Sequence, residues 1–452
     1  MDTSKSNRYI DAIHKEIKKT FNMSKTSTVP GLAYLPVREN PKTAANFLEA
    51  RKKIDGAEGL WRIGNKLYDL EAFVKSHPGG AEWLRLTKET DITELFETHH
   101  ITDKAEQLLP KFYVRDASTP RSVPLTFSSD GFYRTFKRRA VEALKNVDFH
   151  RPSTTTNLIA DSLAATTFAL SLAAAFANSY AIIIFASIFL TWTSVAAHNY
   201  FHMRDNFRMY YFDLSILSSK YWRISHVMSH HMYTNTMWDY EIYVVEPFLQ
   251  WIPRKDKSYL GGIISKILSP IVWMLLFATE GLKRYYLVFK EYGVFEFRDF
   301  VPFLLPLSMS LLAPQIFVAF KMWLIMLLIG SLMFGMIGFN AAHHHPDIFH
   351  DGDIYRNDMD WGLLELDAVR DREVIDDHIF LALTNFGSHS LHHLLPTVDH
   401  HYLELCVPAF LQTCKEFGIN SDKWTQWELL KGQFRQLSRT EVKKNYRELS
   451  ST

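Results

Sequence analysis

Cysteine and unbalanced charge, two features that often reveal the class of a protein, are scarce in this chain. Only 2 of its 452 residues are cysteine, and 50 lysines and arginines stand against 49 aspartates and glutamates. Two cysteines cannot build a disulfide framework or a four-cysteine zinc site, and they suit a reducing compartment. A net charge of +1 excludes the broad basic surface that nucleic-acid binding requires. We therefore expect no nucleic acid among the partners.

The N-terminus lacks the apolar run of a secretory signal peptide and is polar and basic instead. Further on, two short apolar stretches flank Gly64-Asn65, a pair typical of a β-hairpin turn. Proline, serine and glycine then cluster between Ser118 and Gly131, which predicts a linker. These observations divide the chain into a polar N-terminal arm (1–28), a small α+β domain (29–118), a linker (119–131), a large domain (132–430) and a polar C-terminal tail (431–452).

Charge is absent from long stretches of the large domain. Residues 162–197 form a run of 36 residues without a charged side chain. As a helix this run would be about 54 Å long, too long for a single crossing of a ~30 Å hydrocarbon core. Two antiparallel spans that turn near Asn178 and Ser179 fit better. Residues 301–342, with only Lys321 charged, predict a second helical hairpin, which gives an all-α membrane domain with four spans.

The apolar stretch 259–279 is ambiguous, since it contains Lys266, Pro270 and two glycines. It lies between clusters of histidines. If it crossed the membrane in addition to the four predicted spans, the clusters before and after it would face opposite sides and could not meet. We therefore predict an interfacial helix in the headgroup plane.

Histidine, by contrast, is abundant and clustered. Three boxes of histidines lie in the large domain: box 1 (His198 and His202), box 2 (His226, His230 and His231) and box 3 (His389, His392 and His393). Spacings of three and four residues place imidazoles on one face of a helix, as chelation requires. A solvated helix face could explain one such pair, but three boxes near membrane segments favour a metal centre. Eight imidazoles match two iron ions, whereas zinc sites normally use four ligands at most.

A second constellation lies in the small domain, where His77-Pro78-Gly79-Gly80 precedes His99-His100 by about 20 residues. A six-coordinate haem needs two imidazoles on opposite faces of its ring. Pro78 would stiffen the loop, and the two glycines would remove side chains that obstruct the porphyrin. From these residues alone, a surface turn that carries a histidine remains the alternative.

The surrounding residues decide between these interpretations. The stretch 64–80 and the stretch Phe96-Glu97-Thr98-His99-His100, followed by Thr102-Asp103, resemble the cytochrome b5 haem-binding domain. The resemblance covers about residues 60–115 and implies haem b bound by His77 and His100. In that family the second ligand precedes a small residue and a Thr-Asp pair, which selects His100 over His99. This chain departs from the family by having Ile101 at the small position.

The three boxes, with membrane spans between them, resemble the membrane fatty-acyl desaturase family over about residues 148–403. A b5 domain in front is also seen in front-end acyl and sphingolipid desaturases. Those enzymes usually begin the third box with glutamine, whereas this chain has His389, so regiochemistry does not carry over. In acyl-CoA desaturases the end of the last span supplies a further histidine. Here the Ala-Ala-His match favours His343, and the spacing from Asn340 favours His344.

The two resemblances imply a small α+β cytochrome b5-like haem domain, followed by an all-α membrane domain with four transmembrane helices and a cytosolic helical cap. They imply an O2-dependent, di-iron desaturase of long acyl chains in the endoplasmic reticulum membrane, with the haem domain and the boxes facing the cytosol. NADH-cytochrome b5 reductase would donate electrons, and the substrate would be a long-chain acyl-CoA or acyl lipid. No catalytic residue is expected beyond the metal ligands. Hydroxylation at the same centre and a membrane-anchored electron carrier remain alternatives.

Overall fold

The computed structural model describes residues 26–36, 42–255, 257–339 and 342–448. Most of the predicted N-terminal arm therefore lies outside the described residues. The described chain forms a small α+β domain followed by a mostly helical domain, as predicted.

The small domain is built on a three-stranded antiparallel sheet of order β1-β2-β3. Trp61 pairs with Tyr68 across the predicted hairpin, where Gly64 adopts a positive φ of 61°. Trp61 is buried and donates its indole N–H to the carbonyl of Leu84 at 3.2 Å. The elements of this part of the chain are α1 (Ala44–Ile54), β1 (Trp61–Ile63), β2 (Lys66–Tyr68), α2 (Ala81–Thr87), α3 (Thr93–His99), α4 (Lys104–Leu108) and β3 (Tyr113–Asp116).

After α5 (Phe132–Ala143), two helices form the first predicted hairpin, α6 (Thr154–Ala177) and α7 (Tyr180–Ala197). Asn178 ends α6 in the left-handed conformation, as expected for the turn between two antiparallel spans. Four helices of the described chain are long and apolar enough to cross a membrane: α6, α7, α10 (Tyr259–Leu287) and α12 (Ile316–Gly338). The two short helices α8 (Ser219–Trp222) and α9 (Tyr240–Tyr243) precede α10.

The helices of the second apolar region have bounds that differ from those expected. The stretch predicted as an interfacial helix belongs to α10, which has 29 residues and packs along α12. Residues 301–342 form two helices of unequal length that pack together, because α11 (Leu304–Ser310) has only seven residues and α12 has 23. Three prolines between residues 302 and 314 interrupt this stretch, whereas the single Pro270 is tolerated within α10. The chain after α10 returns to the side of the boxes, since Arg284 near the end of α10 binds Asp213 at 2.8 Å and Arg298 binds Glu82 of the small domain at 2.6 Å. The interfacial placement of α10 therefore stays a prediction, and the boxes meet on one side.

Helices α10 and α12 are joined through a buried serine. Ser331 of α12 donates to the carbonyl of Trp273 at 2.6 Å and accepts from the backbone N–H of Phe277 at 2.9 Å. Pro270 leaves the carbonyl of Lys266 without its usual backbone donor, and the hydroxyl of Ser269 donates to that carbonyl at 3.0 Å instead. Side-chain hydrogen bonds of this kind let membrane helices tolerate a proline.

The remaining elements form a cap at the end of the bundle where α7 and α12 finish. They are α13 (Trp361–Ala368), β4 (Asp371–Arg372), α14 (Ile379–Asn385), α15 (His389–Leu394), α16 (His400–Leu403), α17 (Val407–Glu416), β5 (Lys423–Trp424) and α18 (Gln426–Gln436). The boundary predicted at 430/431 falls inside α18. The segment after it is packed into the cap, where Arg439 binds the Asp353 carboxylate with both guanidinium nitrogens at 2.6 and 2.8 Å.

Candidate metal and haem sites

The small domain brings His77 and His100 together, with ring centroids 6.2 Å apart and ring planes inclined by 71°. A metal–imidazole bond is roughly 2 Å long, so two imidazoles on opposite sides of one ion have centroids about 6 Å apart. The Nδ1 atoms of His77 and His100 lie 2.9 and 3.0 Å from the carbonyls of Gly80 and Phe96. Each ring thus donates through Nδ1 and keeps Nε2 for a metal. The pair fits the axial positions of a haem.

His99 points away from this pair. Its ring packs against Trp83, with centroids 5.0 Å apart, and against His202 of box 1, with centroids 6.1 Å apart. The structure therefore brings His100, and not His99, opposite His77.

The two glycines of the His77 loop are required by contacts on both sides of it. A Cβ at Gly79 would lie 2.9 Å from Cε1 of His77, and a Cβ at Gly80 would collide with the carboxylate of Asp205 in the membrane domain. Gly80 also has a φ of 114°, which side-chain-bearing residues rarely adopt. Gly79 therefore leaves room for the imidazole of His77, and Gly80 allows the loop to approach Asp205 of the membrane domain closely.

The three histidine boxes converge in the cap. Five buried imidazoles form the first group, in which all ligand nitrogens lie within 4.8 Å of one another: His198, His202, His226, His231 and His392. Nε2 of His198 is central, lying 2.8 Å from Nε2 of His226 and 3.0 Å from Nε2 of His392.

A second group of buried imidazoles lies beside the first and consists of His230, His343 and His393. Nε2 of His389 lies 2.5 Å from Nε2 of His343, so His389 adjoins this group. His344 does not join either group. Its ring stacks on Trp251 at 3.8 Å, and its Nδ1 lies 3.1 Å from Nε2 of His350. Of the two sequence candidates for a ninth ligand, the structure brings His343 to the other imidazoles.

Local backbone features aim the boxes inward. Box 1 follows directly on α7, and box 3 lies on α15, entered through Ser388 in a left-handed conformation. Box 2 begins in a single π-helical turn, Arg223–Val227. Turns of this kind widen a helix and are frequent at functional sites.

Acidic side chains hold the outer nitrogens of three rings. Nδ1 lies 2.7 Å from Glu241 in His226, 2.9 Å from Asp239 in His230 and 2.8 Å from Glu365 in His393. Hydrogen bonds to Nδ1 fix the tautomer in which Nε2 carries a lone pair for a metal.

Sequence analysis missed these acids because all three become partners only through the tertiary fold. One signal was available in the sequence, because Glu365 is a carboxylate within the otherwise apolar run 361–366. The structure buries this side chain fully.

The electrostatics favour neutral rings that can bind metal. Burial, reinforced by neighbouring imidazoles, holds the pKa values of His202, His231 and His392 well below the ordinary value. At His230 burial has the same direction, but the Asp239 and Glu241 carboxylates outweigh it and raise its pKa to about 9. Metal binding releases such a proton.

A further histidine that sequence analysis overlooked is His400 at the start of α16. Its ring lies 4.6 Å from that of His392, and its Nδ1 lies 2.7 Å from the side-chain oxygen of Asn199 in box 1. Within the described chain its buried Nε2 has no hydrogen-bond partner. His400 thus supports the first group from outside.

An apolar cavity of about 110 Å³ leads to the histidines. Leu276 of α10 and Phe334 and Phe339 of the α12 end form its walls, and the imidazoles of His226 and His343 reach it. Glu280 and Lys283, which form an ion pair at 2.5 Å, also line it. The cavity therefore places an apolar wall next to two of the clustered imidazoles.

Comparison with known families gives two matches. The fatty acid desaturase family matches residues 98–423, and the cytochrome b5-like haem/steroid binding domain matches residues 48–118. No solved structure matches the chain.

Among individual proteins, the cytochrome b5-related protein of Drosophila melanogaster is 40% identical over 403 residues, which cover 88% of this chain and 92% of that protein. The Delta(5) fatty acid desaturase A of Dictyostelium discoideum is 25% identical, with 79% of this chain and 85% of that protein covered. The acyl-lipid (8-3)-desaturase of Mortierella alpina is 22% identical, with 79% and 88% covered.

Proposed function

Because this chain belongs to the fatty acid desaturase family and carries a cytochrome b5-like domain, we propose that it introduces a double bond into long acyl chains at a centre of two iron ions. The observation that carries this proposal is the convergence of imidazoles from all three boxes, with His343, at the inner end of an apolar cavity. Imidazole suits iron, and a site with more than four imidazoles exceeds the needs of zinc.

Iron held there supplies the activation of O2 that breaking an unactivated C–H bond requires, and haem supplies single electrons. The residues of the chain have three tasks. Glu241 and Asp239 keep the protons of box 2 on Nδ1. Trp222 stacks on His226 with centroids 4.3 Å apart and planes 5° apart, which holds that ring in place. The buried walls exclude water from the reacting carbon atoms.

One iron ion would be held by the first imidazole group, and the other by the second group together with His389. The proposed ligands are His198, His202, His226, His231 and His392 for the first ion and His230, His343, His389 and His393 for the second. Haem b is bound by His77 and His100. The hydrogen bonds from each haem-binding ring to a backbone carbonyl support this assignment.

The partners follow from the same chemistry. The electron donor to the haem domain is NADH-cytochrome b5 reductase, and the substrate is a long-chain acyl-CoA or acyl lipid. The enzyme lies in the endoplasmic reticulum membrane with the boxes and the haem domain on the cytosolic side. The distribution of basic residues supports this orientation, because Lys321 is the only one near the opposite end of α12.

Lipid mass spectrometry of yeast that expresses the chain tests the function. We expect acyl products that lack two hydrogens, and their absence when the chain carries His202→Ala. Products that instead gain one oxygen would identify a hydroxylase. A protein that binds iron and haem but forms neither product would be an electron carrier, and the proposal would be wrong.

A further inference from the structure

Two adjacent histidines at the end of α3 face two different sites. His100 lies opposite His77, with ring centroids 6.2 Å apart, whereas His99 turns towards the membrane domain. The centroid of the His99 ring lies 6.1 Å from that of His202, and the two planes are inclined by 33°. His202 belongs to the first imidazole group. One peptide bond and one ring contact thus join the proposed haem site to the proposed iron site.

His99 is enclosed by both domains. Trp83 packs against its ring with centroids 5.0 Å apart, and the Thr98 hydroxyl lies 3.0 Å from its Nδ1. The Thr98 hydroxyl also donates to the sulfur of Met232 at 3.8 Å. Nε2 of His99 is buried and has no hydrogen-bond partner within the described chain. A buried polar atom without a hydrogen-bond partner lowers the stability of the fold, so its presence calls for an explanation.

The contact between the domains is held by a buried cation. Arg223, at the start of the box 2 turn, is fully buried and binds Asp205 at 2.9 Å and Glu82 of α2 at 2.7 Å. Its guanidinium also lies 4.5 Å from the ring centroid of Trp83. Arg298 adds a second bond to Glu82 at 2.6 Å. These contacts hold the haem domain against the membrane domain, and His99 lies among them.

We propose that His99 is the contact through which electrons pass from the haem domain to the imidazole groups. The inference rests on the proposed function and deepens it. In each transfer a ferrous haem iron becomes ferric and one ferric iron at the imidazole groups becomes ferrous, so one electron moves and no atom or proton is exchanged. The electrons come from reduced pyridine nucleotide through a flavin reductase.

The physical reason is distance. Electron transfer slows steeply with each ångström of empty space and is faster through bonded or packed atoms. The route from His100 to His99 is covalent, through the two side chains and the peptide bond between them. From His99 it crosses one ring contact to His202. Because the donor is docked, transfer requires no encounter between molecules, which is the limiting form of a tethered partner's high effective concentration.

Kinetics of haem re-oxidation test the proposal in the full chain, loaded with haem and iron in lipid nanodiscs. The protein is reduced with dithionite without oxygen, then mixed with O2 and an acyl substrate while haem absorbance is followed. The direct reaction of haem with O2 is measured in protein that carries haem but no iron at the imidazole groups. This rate is subtracted. We expect a single first-order phase whose rate does not depend on protein concentration.

The variants are His99→Ala, His99→Phe and, as a matched control, the exposed His378→Ala. His99→Ala should keep haem and iron and slow re-oxidation by at least an order of magnitude, because it opens a gap beside His202. His99→Phe refills the space next to Trp83 and should keep most of the rate. His378→Ala should behave as wild type.

A wild-type rate in His99→Ala with both cofactors retained would overturn the proposal. So would loss of haem from His99→Ala, because His99 would then be a haem ligand, and so would a His99→Phe rate as low as that of His99→Ala. Absence of lipid product from wild type would contradict the proposed function instead, since the absorbance signal reports electron transfer separately.

Discussion

The imidazoles of this protein differ in the group that accepts the hydrogen bond from Nδ1. His77 and His100 donate to backbone carbonyls, whereas three box histidines donate to carboxylates. A carboxylate partner makes a ring a stronger electron donor to a metal than a carbonyl does, since it stabilises positive charge on the ring. The two proposed sites therefore differ in ligand basicity as well as in number.

We expect His77→Ala and His100→Ala each to abolish the absorption spectrum of six-coordinate haem, because each removes an axial ligand. Iron bound by the membrane domain should remain. His99→Ala serves as the control and should keep the haem spectrum. Optical spectroscopy with iron analysis of the purified variants checks this, and haem loss from His99→Ala alone would show that the second ligand is misassigned.

His343 and His344 offer an adjacent pair for testing the ninth ligand. His343→Ala should lower iron per haem and product formation, because His343 meets His230 and His389 through Nε2. His344→Ala should leave iron content near wild type, because its ring stacks on Trp251. Metal analysis normalised to haem compares them. Greater iron loss from His344→Ala than from His343→Ala would reverse the assignment.

Among the elements of the cap, α13 depends on the residue that precedes it, Asp360. Asp360 caps the helix by accepting from the N–H of Gly362 at 2.9 Å, and it also accepts from the N–H of Tyr133 in α5 at 3.2 Å. The linker is hydrogen-bonded to the same helix start, because the backbone N–H of Trp361 donates to the carbonyl of Thr126 at 3.1 Å. Since α13 carries Glu365, this cap helps to position the partner of His393.

Asp360→Ala should lower the free energy of unfolding by about 1–2 kcal/mol, the usual contribution of a helix cap. Asp360→Asn keeps an acceptor oxygen and should cost less. Thermal unfolding in detergent measures both. Equal stability of wild type and Asp360→Ala would show that the cap does not contribute.

The same residue predicts a pH dependence. Burial raises the pKa of Asp360 to about 7, whereas an unfolded chain has an aspartate pKa of about 3.9. Between these values the folded state binds the proton more tightly, so this group's contribution to stability is lost as pH rises from about 4 through about 7. Asp360→Asn should flatten this part of the stability curve. An unchanged slope in the variant would assign the effect to other groups.

How far the sequence alone reaches depends on whether a feature is local. The box spacings, the His77 loop and the hairpin at Gly64 are short-range patterns, and the structure contains each of them. The pairing of Glu365 with His393 could not be predicted, because only the tertiary fold brings these two residues together.

The helix bounds of the second apolar region could not be predicted for a related reason. Lys266 and Pro270 weakened the apolar signal of α10, whereas its packing against α12 through Ser331 depends on the whole bundle. Hydropathy alone also could not show that three prolines break the stretch before α12. Local apolarity therefore identified membrane segments but not which of them pair.

Across the whole molecule, the two ends of the helical bundle differ in chemistry. The boxes lie where α7 and α12 end, whereas Lys321 near the start of α12 lies 5.3 Å over the ring of Tyr180 at the start of α7. This arrangement places both helix starts at the end remote from the histidines.

A glycosylation acceptor inserted next to Asn178 or between α11 and α12 should therefore be modified in microsomes. One inserted in the linker 119–131 should not be, because the linker lies on the side of the boxes. Gel mobility with and without glycosidase measures this. Modification in the linker would contradict the proposed topology.

The packing of residues 439–447 into the cap sets an order in time. Arg447 donates to the hydroxyl of Ser390 inside box 3 at 2.8 Å, and Asn445 donates to the carbonyl of Pro346, just after His345, at 3.0 Å. A ribosome makes these residues after all four membrane helices and all three boxes. The membrane helices can therefore insert into the bilayer before the hydrogen bonds of Asn445 and Arg447 form. Completion of the cap is a late step in the biosynthesis of the protein.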